Sequence, residues 1–138
     1  MPAISIMMKP ASGLCNMNCE YCFYTDEASK RQNASYGIMN AVTLEHIIKK
    51  TLAFAEENCS ILFQGGEPAL AGLDFFKTVI ELENKWNIHH VNIQNSIQTN
   101  GILMDETWAE FLHKHNFLVG LSLDGTKEVH DTCRKTKN

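Results

Sequence analysis

Four short apolar runs, at 4–8, 60–64, 91–98 and 117–123, alternate along this chain with three segments of helical period. Few folds accommodate that order. The first run, Ile4-Ser-Ile-Met-Met8, is stopped by Lys9-Pro10 and reads as a short, mostly buried strand followed by a long polar loop. From Thr43, read as an N-cap, Leu44, Ile47, Ile48, Thr51, Leu52 and Ala55 recur on one helical face. Ser60-Ile-Leu-Phe-Gln64 is a second strand that meets the Gly65-Gly66 turn.

Asp74 is the expected cap of a second helix carrying Phe75, Phe76, Val79, Ile80, Glu83 and Trp86, and Asp105 of a third carrying Trp108, Phe111 and Leu112. The resulting order, β-α-β-α-β-α-β, predicts an α/β fold with parallel strands and right-handed helical crossovers, as an open doubly wound sheet or an arc of a barrel. No linker or low-complexity segment divides the chain, so residues 1–138 form one domain. In such architectures the C-terminal ends of the strands share one face. Residues from Pro10 onward, 64–68, 98–101 and 122–125 are therefore expected to be neighbours.

Charge narrows what could bind there. The formal net charge is −4 and no Lys/Arg run exceeds a pair, which argues against nucleic acid and against an anionic membrane surface. Uninterrupted apolar stretches fall far short of the ~20 residues that span a bilayer. A cytoplasmic location is expected, where thiols stay reduced and five cysteines read as ligands, reactive thiols or buried small hydrophobes.

Three of the five lie in Cys15-Asn-Met-Asn-Cys19-Glu-Tyr-Cys22. Structural zinc takes four ligands, usually as two closely spaced pairs, and no histidine stands near these thiols. Zinc stays an alternative. A four-iron cubane has four corners, and three thiolates leave one iron open to another ligand. Cys59 reads as a buried hydrophobe, and Cys133 falls in a polar tail.

The spacing C-x-x-x-C-x-x-C, with Tyr21 before the last cysteine, resembles the radical S-adenosylmethionine (SAM) enzymes. The resemblance implies a [4Fe-4S] cluster on Cys15, Cys19 and Cys22, with SAM chelating the open iron and releasing a 5′-deoxyadenosyl radical on reduction. It also implies SAM contacts from Tyr21, from Gly66 in Gly65-Gly66-Glu67-Pro68, from Ser122 and from Arg134, and substrate contacts from Gln64 and Tyr24. An arginine fork suits a carboxylate because it donates two parallel hydrogen bonds. Glu67 and Asp124 are not read as acid/base residues, and the histidines are read as surface.

The segments Lys9-Pro10-Ala11-Ser12, Cys22-Phe23-Tyr24, Ser35-Tyr36-Gly37-Ile38-Met39, Phe63–Pro68, Gln98-Thr99-Asn100-Gly101 and Phe117–Ser122 look like the anaerobic sulfatase-maturating enzymes. That narrower resemblance implies oxidation of a sulfatase cysteine or serine to Cα-formylglycine. The radical removes a Cβ hydrogen, loss of an electron and a proton gives a thioaldehyde, and water converts it to the aldehyde. The implied partners are an unfolded or nascent sulfatase polypeptide and an electron donor such as a flavodoxin or ferredoxin. Other peptide-modifying radical SAM enzymes, or an inactive iron-sulfur or metal-binding fragment, are the alternatives.

Members of that family run to several hundred residues, with a partial (β/α)6 barrel followed by a domain of auxiliary clusters and the general base. Residues 1–138 correspond to the N-terminal portion of the barrel, through about the fourth strand. The auxiliary-cluster domain and any catalytic base are expected to be missing, and the fourth strand is expected to be left exposed.

Overall fold

The computed structural model describes residues 3–137; Asn138, the end of the polar tail, lies outside them. Four strands, β1 (Ile4–Met8), β2 (Asn58–Phe63), β3 (Asn92–Thr99) and β4 (Leu118–Leu121), form one parallel sheet in the order β1-β2-β3-β4. The crossovers contain α2 (Ala41–Phe54), α3 (Leu73–Trp86) and α4 (Glu106–Lys114). Strand order and chain order agree, which is how successive right-handed βαβ units build an arc of a barrel.

Register assigns the two faces of the sheet. Met8, Phe63, Ile97 and Val119 stand in one row, and Met7, Leu62, Ser96 and Leu118 in the next, on the opposite face. The first face carries the core. Ile61, Phe63 and Ile97 pack beneath Leu44, Ile48 and Leu52 of α2, Phe76 and Val79 of α3, and Trp108 of α4. Phe76 lies at the centre, edge-on to Phe63 at 5.1 Å and to Trp108 at 5.2 Å between ring centroids. Each such side chain contributes about 1.5–3 kcal/mol by leaving water.

Helix starts differ from the sequence expectation at two of three positions. Asn40, not Thr43, caps α2, its side chain accepting the Thr43 N–H at 2.8 Å. Asp74 caps nothing; Gly72 stands at the N-cap of α3 with φ +83°, and Asp74 sits in the first turn paired with Lys77 at 2.8 Å. Pro68–Ala71 forms a 3-10 turn whose end delivers the chain to α3 through that glycine. Asp105 does cap α4, accepting from Trp108 N at 2.9 Å.

The polar loop and the tail are more ordered than their sequence announces. Each contains a seven-residue helix, α1 (Phe23–Ser29) and α5 (Lys127–Cys133), neither with a buried residue. β4 is also shorter than the apolar run at 117–123 that encodes it. Leu118, Val119, Leu121 and Leu123 are all exposed, as expected for a strand with a neighbour on one side only.

A carboxyl also enters the apolar layer under α3. Glu83 of α3 is buried and its Oε2 accepts from Asn95 Nδ2 of β3 at 3.0 Å. Glu83 Oε1 and Asn95 Oδ1 have no partner. Burial outweighs the Asn95 hydrogen bond and pushes the Glu83 carboxyl up to about 7. In its protonated form it can donate to the amide oxygen and satisfy both atoms.

Candidate functional site

The loop after β1 is held from two sides by backbone. On one side, Glu67 N–H donates to Leu14 O at 2.7 Å. On the other, the segment following α5 runs antiparallel to it: Asn18 N–H donates to Lys135 O at 2.7 Å, Glu20 N–H to Cys133 O at 3.0 Å, and Lys137 N–H to Asn16 O at 3.0 Å. Met17 is buried within this clamp. A polar loop with no strand pairing of its own thus acquires a fixed path from segments that lie more than fifty and more than a hundred positions away.

Gly66 explains why the clamp closes so tightly. Its φ is +57°, and a Cβ there would lie 2.1 Å from Leu14 O, so any side chain would displace the thiol loop. The next residue, Glu67, is buried and ties three segments together. Its Oε1 accepts from Ala69 N at 3.0 Å and Thr99 Oγ1 at 2.8 Å, while Oε2 accepts from Asn100 N at 2.7 Å. This carboxylate is an internal brace between the loops after β2 and β3.

The strand ends converge as the topology requires. A cavity of about 230 Å³ is lined by Cys15, Cys19 and Cys22, by Gln64–Glu67, by Gln98–Asn100 and by Ser122, with Tyr21, Tyr24 and Arg134 completing its wall. Every site residue expected from sequence is therefore present at one cavity. Cys59 is buried in β2, away from it, in accord with a role as a small hydrophobe.

Among the described residues, no three Cys, His, Asp or Glu side chains surround one point as a single metal ion would require. Three thiolates on one loop, all lining the same cavity, match three corners of a four-iron cubane and leave the fourth iron open, so the donor set fits that group. Burial raises the Cys19 thiol, and the positive charge of Arg134 acts against that.

Arg134 is not the solvated residue that a polar tail suggests. Only 9% of its side chain is exposed, its Nη1 donates to Tyr21 Oη at 2.6 Å and stands 3.8 Å from Asp124 Oδ2, and its Nε is buried without a partner. An unsatisfied buried N–H of a guanidinium beside a cavity is a donor available to a ligand. Tyr21 also donates to Asp124, so its hydroxyl is committed while its exposed ring is free to pack. Asp124 is more than the turn residue its Asp-Gly context implies, because it anchors this trio.

Ser122 accepts from Gln98 Nε2 at 3.0 Å, and the Gln98 amide lies so close over Gly120 that a Cβ there would meet its Oε1 at 2.2 Å. Lys9 Nζ lies 4.7 Å from the centroid of the Tyr24 ring. The segments 64–68, 98–101 and 122–125 are expected at this rim from the strand order, but the individual contacts of Lys9, Glu67, Gln98, Asn100 and Asp124 are not legible in the sequence. Tyr24 lies 15 positions from Lys9, Ser122 lies 24 from Gln98, Glu67 lies 33 from Asn100 and Tyr21 lies 103 from Asp124, and no local spacing signals these pairs.

The chain matches the Radical SAM superfamily model over residues 10–138. It is 52% identical over 135 residues to the cysteine-type anaerobic sulfatase-maturating enzyme of Clostridium perfringens, covering 98% of this chain and 36% of that protein. The serine-type anaerobic sulfatase-maturating enzyme of Bacteroides thetaiotaomicron is 37% identical over 96% of this chain and 32% of its own length. The chain thus spans about a third of the length of these relatives. A solved structure of anSMEcpe with bound AdoMet superposes with a TM-score of 0.91 at 50% identity, and one with AdoMet and the Cp18Cys peptide with 0.90, each over 98% of this chain. With the three-thiol loop at the strand ends of a parallel sheet and the family model matched from Pro10 to the end, the chain belongs to the radical SAM superfamily.

Proposed function

We propose that this chain is the cluster- and SAM-binding part of an enzyme that oxidises a sulfatase cysteine, or serine, to Cα-formylglycine. The convergence of Cys15, Cys19 and Cys22 with three strand-end loops on one cavity carries the reading. When bound, a [4Fe-4S] cluster on those thiolates together with SAM would supply a 5′-deoxyadenosyl radical. Everything else in the cavity serves to seat, orient and shelter.

The Gly65-Gly66 turn offers close backbone approach to the methionyl end of SAM, and the unpartnered Arg134 Nε offers a donor to its carboxylate. The Ser122 hydroxyl is the candidate ribose contact, and the Tyr21 ring the candidate adenine neighbour. Gln64 and Tyr24 also line the cavity and would face the substrate. The substrate class is supported by the sulfatase-maturating relatives and by the peptide bound in the related structure. A sulfatase polypeptide, unfolded or nascent, and a small electron-transfer protein are the partners of this reading.

The test is anaerobic reconstitution of the chain with iron and sulfide, followed by dithionite, SAM and a sulfatase peptide bearing the target cysteine. Release of 5′-deoxyadenosine supports the radical site. Conversion of the peptide cysteine to an aldehyde by the full-length protein, read by mass spectrometry, supports the substrate. Radical formation with no change in any sulfatase peptide would overturn the substrate and leave the cofactor reading standing.

A further inference from the structure

Asn100 enters the cavity from the loop after β3 and touches the thiol loop at its first ligand. Its Nδ2 lies 3.8 Å from Cys15 Sγ and 2.7 Å from Asn16 Oδ1, so one amide hydrogen can serve each. The orientation of the amide is fixed. Asn100 Oδ1 accepts the Ile102 N–H at 3.1 Å, which leaves only the nitrogen to face the thiol. Asn100 N–H is in turn held by Glu67 Oε2 at 2.7 Å, and Glu67 by Thr99 and by the Leu14 carbonyl.

The Cys15 sulfur also receives the Met17 N–H at 3.4 Å. Among the described residues, both N–H groups that reach a thiol of the cluster loop reach this one. The three ligands are therefore electrostatically unequal. Adding an electron to an iron-sulfur cluster places negative charge on its sulfurs, and N–H dipoles aimed at a ligand sulfur favour the reduced state.

We infer that Asn100 is a positioning residue that holds an N–H on the Cys15 sulfur and so sets the reduction potential of the cluster. The inference rests on the cluster assignment proposed above. In this role Asn100 acts through Cys15. Its bracing by Glu67 connects the glycine-rich turn after β2 to the electronics of the cluster.

The experiment is an anaerobic redox titration of the reconstituted chain, followed by electron paramagnetic resonance, with iron content measured alongside. The wild type is compared with Asn100→Ala, which removes the donor, and Asn100→Asp, which also brings an acceptor and a negative charge. The expected order of midpoint potentials is wild type highest, Asn100→Ala lower and Asn100→Asp lowest, at equal iron content. Equal potentials in all three would overturn the inference, as would loss of iron from both variants, which would make Asn100 a requirement for assembly. A wild-type chain that takes up no cluster would instead overturn the cluster assignment itself.

Discussion

The helix-covered face of the sheet and its strand-end rim are built on opposite principles. Beneath α2, α3 and α4 the side chains, apart from the Glu83–Asn95 pair, are apolar and interlocked, with Phe63, Phe76 and Ile97 fully enclosed. At the rim the side chains are polar, and their partners are remote in sequence: Glu67 to Thr99 and Asn100, Tyr21 to Asp124 and Arg134, Leu14 to Glu67. The first face supplies stability, because burial of area is additive and tolerant. The second supplies a site, because hydrogen bonds of fixed direction hold open a cavity that apolar packing would fill.

If the two regions are separable, substitutions should divide cleanly between them. Cys19→Ala should abolish cluster incorporation altogether, measured as iron and sulfide per chain, while leaving the far-ultraviolet circular dichroism intact; unchanged iron would mean that the ligand set is misassigned. Phe76→Ala should do the converse. Emptying the centre of the core should cost about 3–5 kcal/mol in a denaturant titration, through lost transfer energy and the cavity left behind.

Glu83 tests the core from the side of charge. Burial holds its carboxyl up at about 7 in the folded chain, against an ordinary value of 4.5, so between those values the folded chain binds more protons than the unfolded one. Stability should therefore fall as pH rises from 4.5 to 7, by up to about 3 kcal/mol, and stay reduced above that. Glu83→Gln should flatten this slope. A slope of the same size in the variant would assign the effect to another group.

The smallest expected effect falls where the regions meet. Glu67→Gln keeps the shape but turns an amide donor or a weaker acceptor toward Ala69 N, Thr99 Oγ1 and Asn100 N, at a cost of about 2 kcal/mol. Because the same residue braces the rim, cluster yield should fall alongside stability. Loss of one without the other would show that the brace is purely structural or purely local.

The division also explains what could be read in advance. Strand order and the faces of α2, α3 and α4 follow from periodicity, since each buries a stripe that the sequence must encode. The cysteine spacing and the glycine pair were legible because backbone proximity leaves a fixed residue pattern. α1 and α5 bury nothing and so show no period. The caps at Asn40 and Gly72 were misplaced because Thr43 and Asp74 are equally competent cap residues, and the 3-10 turn decides the second case. Asn100 and the Tyr21–Asp124–Arg134 trio become visible only when the loops meet.

The central claim is that three thiols at the rim hold a cluster with one iron left for SAM. Electron-nuclear double resonance of the reconstituted, reduced chain with SAM isotopically labelled at its amino nitrogen measures this directly. A hyperfine coupling between that nitrogen and the cluster is the predicted result. An iron-sulfur signal with no such coupling, or a chain that retains zinc and forms no cluster, would contradict it.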